Sequence, residues 1–309
     1  MGSDGLVPLA GGFSGETFVA DAAGERTVVR VYAGRGARRG SEAAAIDAAV
    51  LQLVRGLLPV PQVLELRRPD PVAGTPGVLV TSFLPGERLD ACLPGLSAPA
   101  RGRAGRGLGR VLGRLAQMPM PRAGQFTDAR LRIEPWQVGG GLEAWIGHLR
   151  AESALAAWPE ADYRGLLAVA ATAQDLLDEV PRHCLVHSDF NAKNLLIDLE
   201  SGALTGLLDW EFAHAGAPGP DLGNLLRFDR EPVFADAVLD GYLEVAGHLD
   251  GLAALDPAAA RDLLLRRARA ADLLALADLA GRRGENPVTG RADAQLRAIA
   301  VSGDLSATA

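Results

Sequence analysis

Short apolar runs separated by turn residues stand near the start of the chain, and further on the apolar residues recur at helical spacing. Thr17-Phe18-Val19-Ala20 and Thr27-Val28-Val29-Arg30-Val31-Tyr32 read as strands, and the turn residues Asp21-Ala22-Ala23-Gly24 between them predict a hairpin. A glycine-rich turn, Gly11-Gly12-Phe13-Ser14-Gly15, precedes the pair. Ser41 to Val54 has Ala/Leu-rich helical spacing, with Ser41 as the expected cap. Leu58-Pro59-Val60-Pro61 ends that helix and starts an extended stretch, followed by strands near 62–67 and 77–83. Leu84-Pro85-Gly86 is a natural boundary, so residues 1–84 predict a small antiparallel-sheet lobe with one helix.

Residues 85–309 predict a larger, mostly helical lobe, which makes the fold class α+β. Helices are expected over 98–117, 142–157, 161–179, 219–227, 232–248, 257–281 and 290–301, with an irregular Pro/Gly-rich stretch at 119–141. The first of these carries Leu108, Val111, Leu112 and Leu115 on helical spacing, but Gly102, Gly105, Gly107, Gly109 and Gly113 weaken it.

Composition narrows the function classes. The chain has 309 residues, 48% of them apolar, enough for two moderate cores. No apolar run approaches membrane-spanning length and no basic-then-apolar segment opens the chain, so neither a membrane partner nor a secretory signal is expected. Cys92 and Cys184 lie far apart, and the five histidines are unpaired in spacing; a reduced cytoplasmic protein without a zinc site follows. Charge is segregated: 97–133 carry eight Arg against one acid, whereas 134–309 carry fourteen basic and twenty-seven acidic groups. The acidic half disfavours nucleic acid as the main partner and would attract a small cationic ligand. Lys193 is the only lysine among thirty-one basic residues.

The chemistry concentrates in two segments. His187-Ser188-Asp189 follows the apolar run Leu185-Val186, with Asn194 five positions after Asp189, and Asp209-Trp210-Glu211 follows Leu207-Leu208 twenty positions after Asp189. A carboxylate to orient an attacking hydroxyl, with an amide and a second carboxylate to hold metal ions, is the set that metal-assisted phosphoryl transfer requires. Lys193, at Asp189+4, either neutralises charge on the transferring group or is an exposed loop lysine.

With these segments, Pro220-Asp221-Leu222-Gly223-Asn224-Leu225 and a sheet lobe of the right order, the chain resembles the aminoglycoside phosphotransferase and choline kinase-like family over nearly its full length. The resemblance implies a protein kinase-like bilobal fold, ATP as phosphoryl donor with GTP not excluded, and Mg2+. It implies Asp189 as base, Asn194 and Asp209 as metal ligands, and His187 and Asp221 as organisers of the catalytic loop. Ser188 stands where the family often has Gly. Gly12, Phe13, Ser14 and Gly15 would cover the phosphates, and Arg30 would face them where the family has Lys or Arg. Asp47, with Glu42 as competitor, would pair with Arg30. Backbone near Thr81, Ser82 and Phe83 would hold the base. Glu211 is either a substrate-facing acid or a salt-bridge partner.

The implied activity is phosphorylation of a hydroxyl on a small cationic acceptor, an aminoglycoside or a basic cyclic peptide such as capreomycin or viomycin. Asp229 and Glu231, then Asp236, Asp240 and Glu134, are the candidate docking acids. A metabolic kinase for choline, homoserine, a fructosamine or a macrolide is the alternative within the fold, and a nucleotide-binding pseudokinase the alternative outside enzymes. The chain is expected to act as a monomer or homodimer.

Overall fold

The computed structural model describes residues 7–8, 16–22, 24–33 and 39–309. These form two compact units. One comprises Met1–Ala104, Gly124–Glu134 and Asn191–His214; the other comprises Gly105–Ala123, Pro135–Phe190 and Ala215–Ala309. The Gly12–Gly15 loop lies outside the described residues.

The first unit is built on an antiparallel sheet of β1 (Val7–Pro8), β2 (Glu16–Ala22), β3 (Glu25–Tyr32), β4 (Val63–Arg67) and β5 (Gly77–Ser82), in the order β1-β2-β3-β5-β4. Helix α1 (Ala43–Val54) packs on β4 and β5 through Ala44, Ile46, Val50, Leu51 and Val54, all buried. Ser41 does not cap it. The cap position is Glu42, and a short 3-10 turn over Gly40–Glu42 leads into the helix instead. In β3 the period of two places Val28, Arg30 and Tyr32 on one face, with Val28 opposite Thr81 and Arg30 opposite Leu79 on β5.

The twenty-residue spacing of the two motifs has a simple origin in this unit. Leu195–Ile197 and Leu204–Leu207 pair as an antiparallel hairpin, so Asn194 just before it and Asp209 just after it emerge at the same end. The Leu208 N–H donates to the Asn194 carbonyl (2.9 Å) and closes that end. At the other end Asp198 Oδ1 accepts from the Ser201 N–H (2.8 Å), and Gly202 takes the positive φ of 72° that the turn needs. A further short strand, β6 (Glu87–Arg88), pairs with Leu196 and Ile197, which ties 191–214 to the sheet-bearing unit. Sequence patterning misses this two-residue strand and the helical turn α2 (Leu89–Cys92) after it. Both are too short to show a period.

The second unit is helical. From Gly105 onward α3 (Ala98–Ala116) belongs to it, with α4 (Gly141–Ala151), α5 (Glu160–Asp178), α6 (Pro220–Leu225), α7 (Pro232–Ala246), α8 (Pro257–Gly281) and α9 (Pro287–Ser302). The glycines that weaken α3 in sequence explain its packing. Gly105, Gly109 and Gly113, four residues apart, face Phe234, Val238, Tyr242 and Val245 of α7, and a Cβ on Gly109 would lie 2.0 Å from the Val238 oxygen. The core joins α4, α5, α8 and α9 through Ile146, Leu166, Ala173, Leu273, Leu296 and Ile299. Where only irregular structure is expected from sequence, the stretch 119–141 holds the short strand Pro119–Met120 in this unit and the short strands Gly124–Phe126 and Ile133–Glu134 in the first. Among the described residues no helix is long and apolar enough to cross a membrane.

Candidate active site

A cavity of about 420 Å3 opens within the first unit. Its apolar wall comes from Val28, Leu51, Leu79 and Leu196, and its polar end from Arg30, Lys193, Asn194 and Asp209. Thr81, Ser82 and Phe83 line it as expected residues of the base-binding stretch. Two backbone donors of that stretch are already engaged: the Ser82 N–H with the Gln62 carbonyl (2.9 Å) and the Phe83 N–H with the Arg26 carbonyl (3.3 Å). The Arg26 guanidinium also lies over the Phe83 ring, 3.9 Å from its centre.

Charged groups converge at the polar end. Arg30 Nη1 donates to Asp209 Oδ1 at 2.9 Å, and Nη2 donates to Glu211. Asp47, on α1, lies 4.0 Å from Arg30 Nη1 and is 3% exposed. Of the two expected partners, then, Asp47 is the acid beside Arg30, whereas Glu42 pairs with Arg68 (3.1 Å). The Tyr32 hydroxyl donates to Asp47 Oδ2 (2.7 Å), and Arg39 Nη1 lies 3.4 Å from Asp47 Oδ1. Arg39 Nη2 also donates to the Ala213 carbonyl.

Titration follows from this crowding. Burial lowers the Arg30 pKa, but Asp209, Tyr32, Glu211 and Asp47 outweigh it, and the net shift is upward. Burial raises Asp47, opposed first by Arg39 and then by Arg30. Arg30 therefore stays a cation, and Asp47 depends on its two arginines for its charge.

Asn194 and Asp209 suit magnesium, because a carboxamide and a carboxylate offer hard oxygen donors. The guanidinium groups of Arg30 and Arg39 pair with the carboxylates Asp47, Asp209 and Glu211. Among the described residues no group of three or more His, Cys, Asp or Glu is placed to hold a metal. Two protein ligands, with water and phosphate oxygens completing the shell, match how magnesium is held at nucleotide sites. Asp209 itself adopts a positive φ of 62°, which turns the chain sharply after the hairpin.

In the second unit, the strand His183–Val186 runs into His187, Ser188 and Asp189. Asp221, on the first turn of α6, accepts the His187 N–H on Oδ2 (2.8 Å) and the Ser188 N–H on Oδ1 (2.7 Å). The Asp189 N–H donates to His187 Nδ1 (3.2 Å), so the imidazole, fully buried, braces the loop. Ser188 holds φ of 69°, the left-handed conformation that glycine adopts without strain. Asn224 Nδ2 reaches the Ser188 carbonyl at 3.4 Å and supports that turn. Burial pushes Asp221 up to about 7, against its two N–H donors, and the Asp189 and Asp272 charges push the same way. Arg227 forms a buried two-pronged ion pair with Asp272 (2.7 and 2.5 Å). Burial lowers the Arg227 pKa, but the Asp272 and then the Asp189 charge raise it.

The proposed docking acids take varied places. Glu231 caps α7, accepting from the Val233 and Phe234 N–H groups (3.2 and 3.0 Å). Asp240 pairs with Arg261 and Arg106. Glu134 ends the short strand Ile133–Glu134 with its side chain exposed. Asp229 precedes α7 in the same second unit, and Asp236 lies on that helix. Glu211 lies in the first unit, on Arg30. Sequence reasoning passes over Tyr32 and Arg39. Tyr32 was accessible from the strand period, two residues after Arg30. Arg39 carries no such signal, being one of several arginines between β3 and α1.

A family model described as the phosphotransferase enzyme family matches residues 5–258. No curated protein sequence matches the chain. Among solved structures, the GDP complex of wild-type aminoglycoside 2'-phosphotransferase-IIIa aligns with a TM-score of 0.71 at 16% identity, covering 97% of this chain and 93% of that one. Aminoglycoside phosphotransferase APH(4)-Ia aligns with a TM-score of 0.65 at 17% identity, over 97% and 94% of the two chains. A thermostable variant of the latter, in ternary complex with AMP-PNP and hygromycin B, aligns with a TM-score of 0.65 at 18% identity, over 97% and 94% of the two chains. The fold is thus the protein kinase-like fold of the aminoglycoside phosphotransferases.

Proposed function

The chain belongs to the phosphotransferase enzyme family, and from that premise we propose that it moves the γ-phosphoryl group of ATP to a hydroxyl of a small cationic antibiotic. The observation that carries the nucleotide half is the cavity of the first unit, where Arg30, Lys193, Asn194 and Asp209 share one polar end beneath an apolar wall. Arg30 grips phosphate oxygens through its planar fork. Asn194 and Asp209 would hold Mg2+, which would neutralise phosphate charge when bound. Lys193 adds a second cation on that wall, in reach of an anionic ligand.

Asp189 accepts the proton of the attacking hydroxyl. Its loop is fixed for that task by Asp221, which takes both preceding N–H groups, and by His187, which takes the Asp189 N–H. The cationic acceptor is supported by charge: residues 134–309 hold twenty-seven acids against fourteen basic groups. The low aromatic content, 5%, disfavours a large apolar acceptor such as a macrolide. An aminoglycoside or a basic cyclic peptide of the capreomycin and viomycin type fits best.

The test is ATP consumption with mass spectrometry of the products, using a panel of aminoglycosides, capreomycin and viomycin, with choline and homoserine as controls. A phosphorylated antibiotic is expected, and Asp189→Asn should lower kcat by about 10²–10⁴-fold. Phosphorylation of choline or homoserine alone would transfer the reading to a metabolic kinase. Tight nucleotide binding with no phosphorylated product would make the chain a regulator.

A further inference from the structure

Asp47 is held from three sides: its holders Arg30 and Tyr32 line the nucleotide cavity, whereas Arg39 is not among the residues that line it. Tyr32 donates to Oδ2 at 2.7 Å, Arg39 approaches Oδ1 at 3.4 Å, and Arg30 Nη1 stands off at 4.0 Å. Arg30 meanwhile lies 2.9 Å from Asp209. A nearly buried carboxylate needs a counter-charge and filled hydrogen-bond positions. Were Arg30 its only cation, that need would draw the Arg30 guanidinium from the cavity towards α1. Arg39 meets it through Oδ1, and its second nitrogen is anchored on the Ala213 carbonyl, two residues after Glu211.

We propose that Arg39 is a positioning residue of the nucleotide site: with Tyr32 it satisfies Asp47, so that Arg30 stays directed at the phosphates and at Asp209. This rests on the reading of the cavity as a nucleotide site. Its reach to Ala213 adds a second consequence, because the same side chain links α1 to the segment that carries Asp209 and Glu211. Arginine suits this place better than lysine, since one planar group serves two acceptors in different directions.

The test is an affinity cycle read by calorimetric titration of AMP-PNP with Mg2+, using wild type, Arg39→Ala, Arg39→Lys, Asp47→Asn and the double variant Arg39→Ala/Asp47→Asn, with melting temperatures alongside. Arg39→Ala should weaken AMP-PNP about tenfold, the size of a lost hydrogen bond to a charged group. Arg39→Lys should recover part of the affinity. The double variant should bind no more weakly than Asp47→Asn, because without the acid Arg39 has nothing to position. Multiplying penalties in the double variant would overturn the proposal, as would a melting temperature that falls while affinity holds. If Arg39→Ala does not fold, Tyr32→Phe enters the same cycle, with the same non-additivity with Asp47→Asn expected. A wild type that binds no AMP-PNP removes the nucleotide reading and this inference together; a wild type that binds, with an additive cycle, removes only the role of Arg39.

Discussion

Arg30 and Asp209, 179 residues apart in sequence, form a direct ion pair of 2.9 Å at the polar end of the cavity. Arg30 is thus the group that connects the sheet to the hairpin motif. Its second nitrogen reaches Glu211, so the contact is a two-pronged bridge over Asp209-Trp210-Glu211. Lysine presents a point charge and cannot span both acids. Arg30→Lys is therefore expected to raise the KM for ATP by about tenfold, with Arg30→Ala worse. Initial-rate kinetics at saturating acceptor would measure this, and an unchanged KM in both variants would make the bridge purely structural.

Asp209 is expected to serve Arg30 and a cation in turn, which ligand-dependent stability can detect. A ligand at a hundred times its Kd stabilises the folded chain by about 2.7 kcal/mol. AMP-PNP with Mg2+ should therefore raise the melting temperature of the wild type, and EDTA should cancel most of the rise. Asp209→Ala should melt at the same temperature with and without Mg2+. A full Mg2+-dependent rise in that variant would place the metal elsewhere.

The fold was legible where period and punctuation are strong. The helices over 257–281 and 232–248 and the strands at 62–67 and 77–83 lie within two residues of expectation, because each carries many apolar positions and a proline or glycine at its ends. The two-residue pairings at Glu87–Arg88 and Pro119–Met120 were illegible, since they are set by partners distant in sequence. At the site, a long side chain can leave the position its spacing suggests. Glu42 and Asp47 both sit at the start of α1, yet only Asp47 turns inward to Tyr32 and Arg39. Glu231 reads as a surface acid, but its carboxylate folds back onto its own helix.

That folding back predicts what Glu231 contributes. A carboxylate capping two N–H groups at a helix start stabilises by about 1 kcal/mol. Glu231→Ala should lower the unfolding free energy read from chemical denaturation by that amount, while Glu231→Asp or Glu231→Ser retains part of the cap. The acceptor KM should not change. A large rise in acceptor KM with unaltered stability would make the residue a docking acid.

Gly109 is a sharper case, because two effects oppose each other. Alanine in a helix interior is favoured over glycine by about 1 kcal/mol. The added Cβ would also meet the Val238 oxygen at 2.0 Å and the Tyr242 nitrogen at 2.8 Å, both backbone atoms with little room to yield. Overpacking of this kind costs about 1–3 kcal/mol or more, so the clash wins. Gly109→Ala should destabilise the chain, whereas Gly95→Ala, where a Cβ meets nothing within 4 Å, should be nearly neutral. Equal melting temperatures for the two variants would contradict the close contact of α3 and α7.

Asp221 makes stability depend on pH with a definite sign. Its carboxyl titrates from an ordinary 3.8 when unfolded to about 7 when folded, chiefly because it is buried. Between those values the native chain holds a proton that the unfolded chain has lost, so the slope of stability with pH is negative. The contribution is complete below about 3.8 and is lost as pH rises through about 7. Asp221→Asn removes the titration, but it turns an amide N–H against one of the two backbone donors and leaves that donor unsatisfied, at a cost of about 1–3 kcal/mol. The variant should be less stable than wild type throughout, with the gap narrowing between pH 4.5 and pH 7.5, a window set by the linkage. Urea unfolding of both proteins across that range measures the gap directly. Parallel curves would mean that Asp221 remains ionised in the fold, held so by the His187 and Ser188 N–H groups, and that its charge has no part in the pH response of the His187–Asp189 loop.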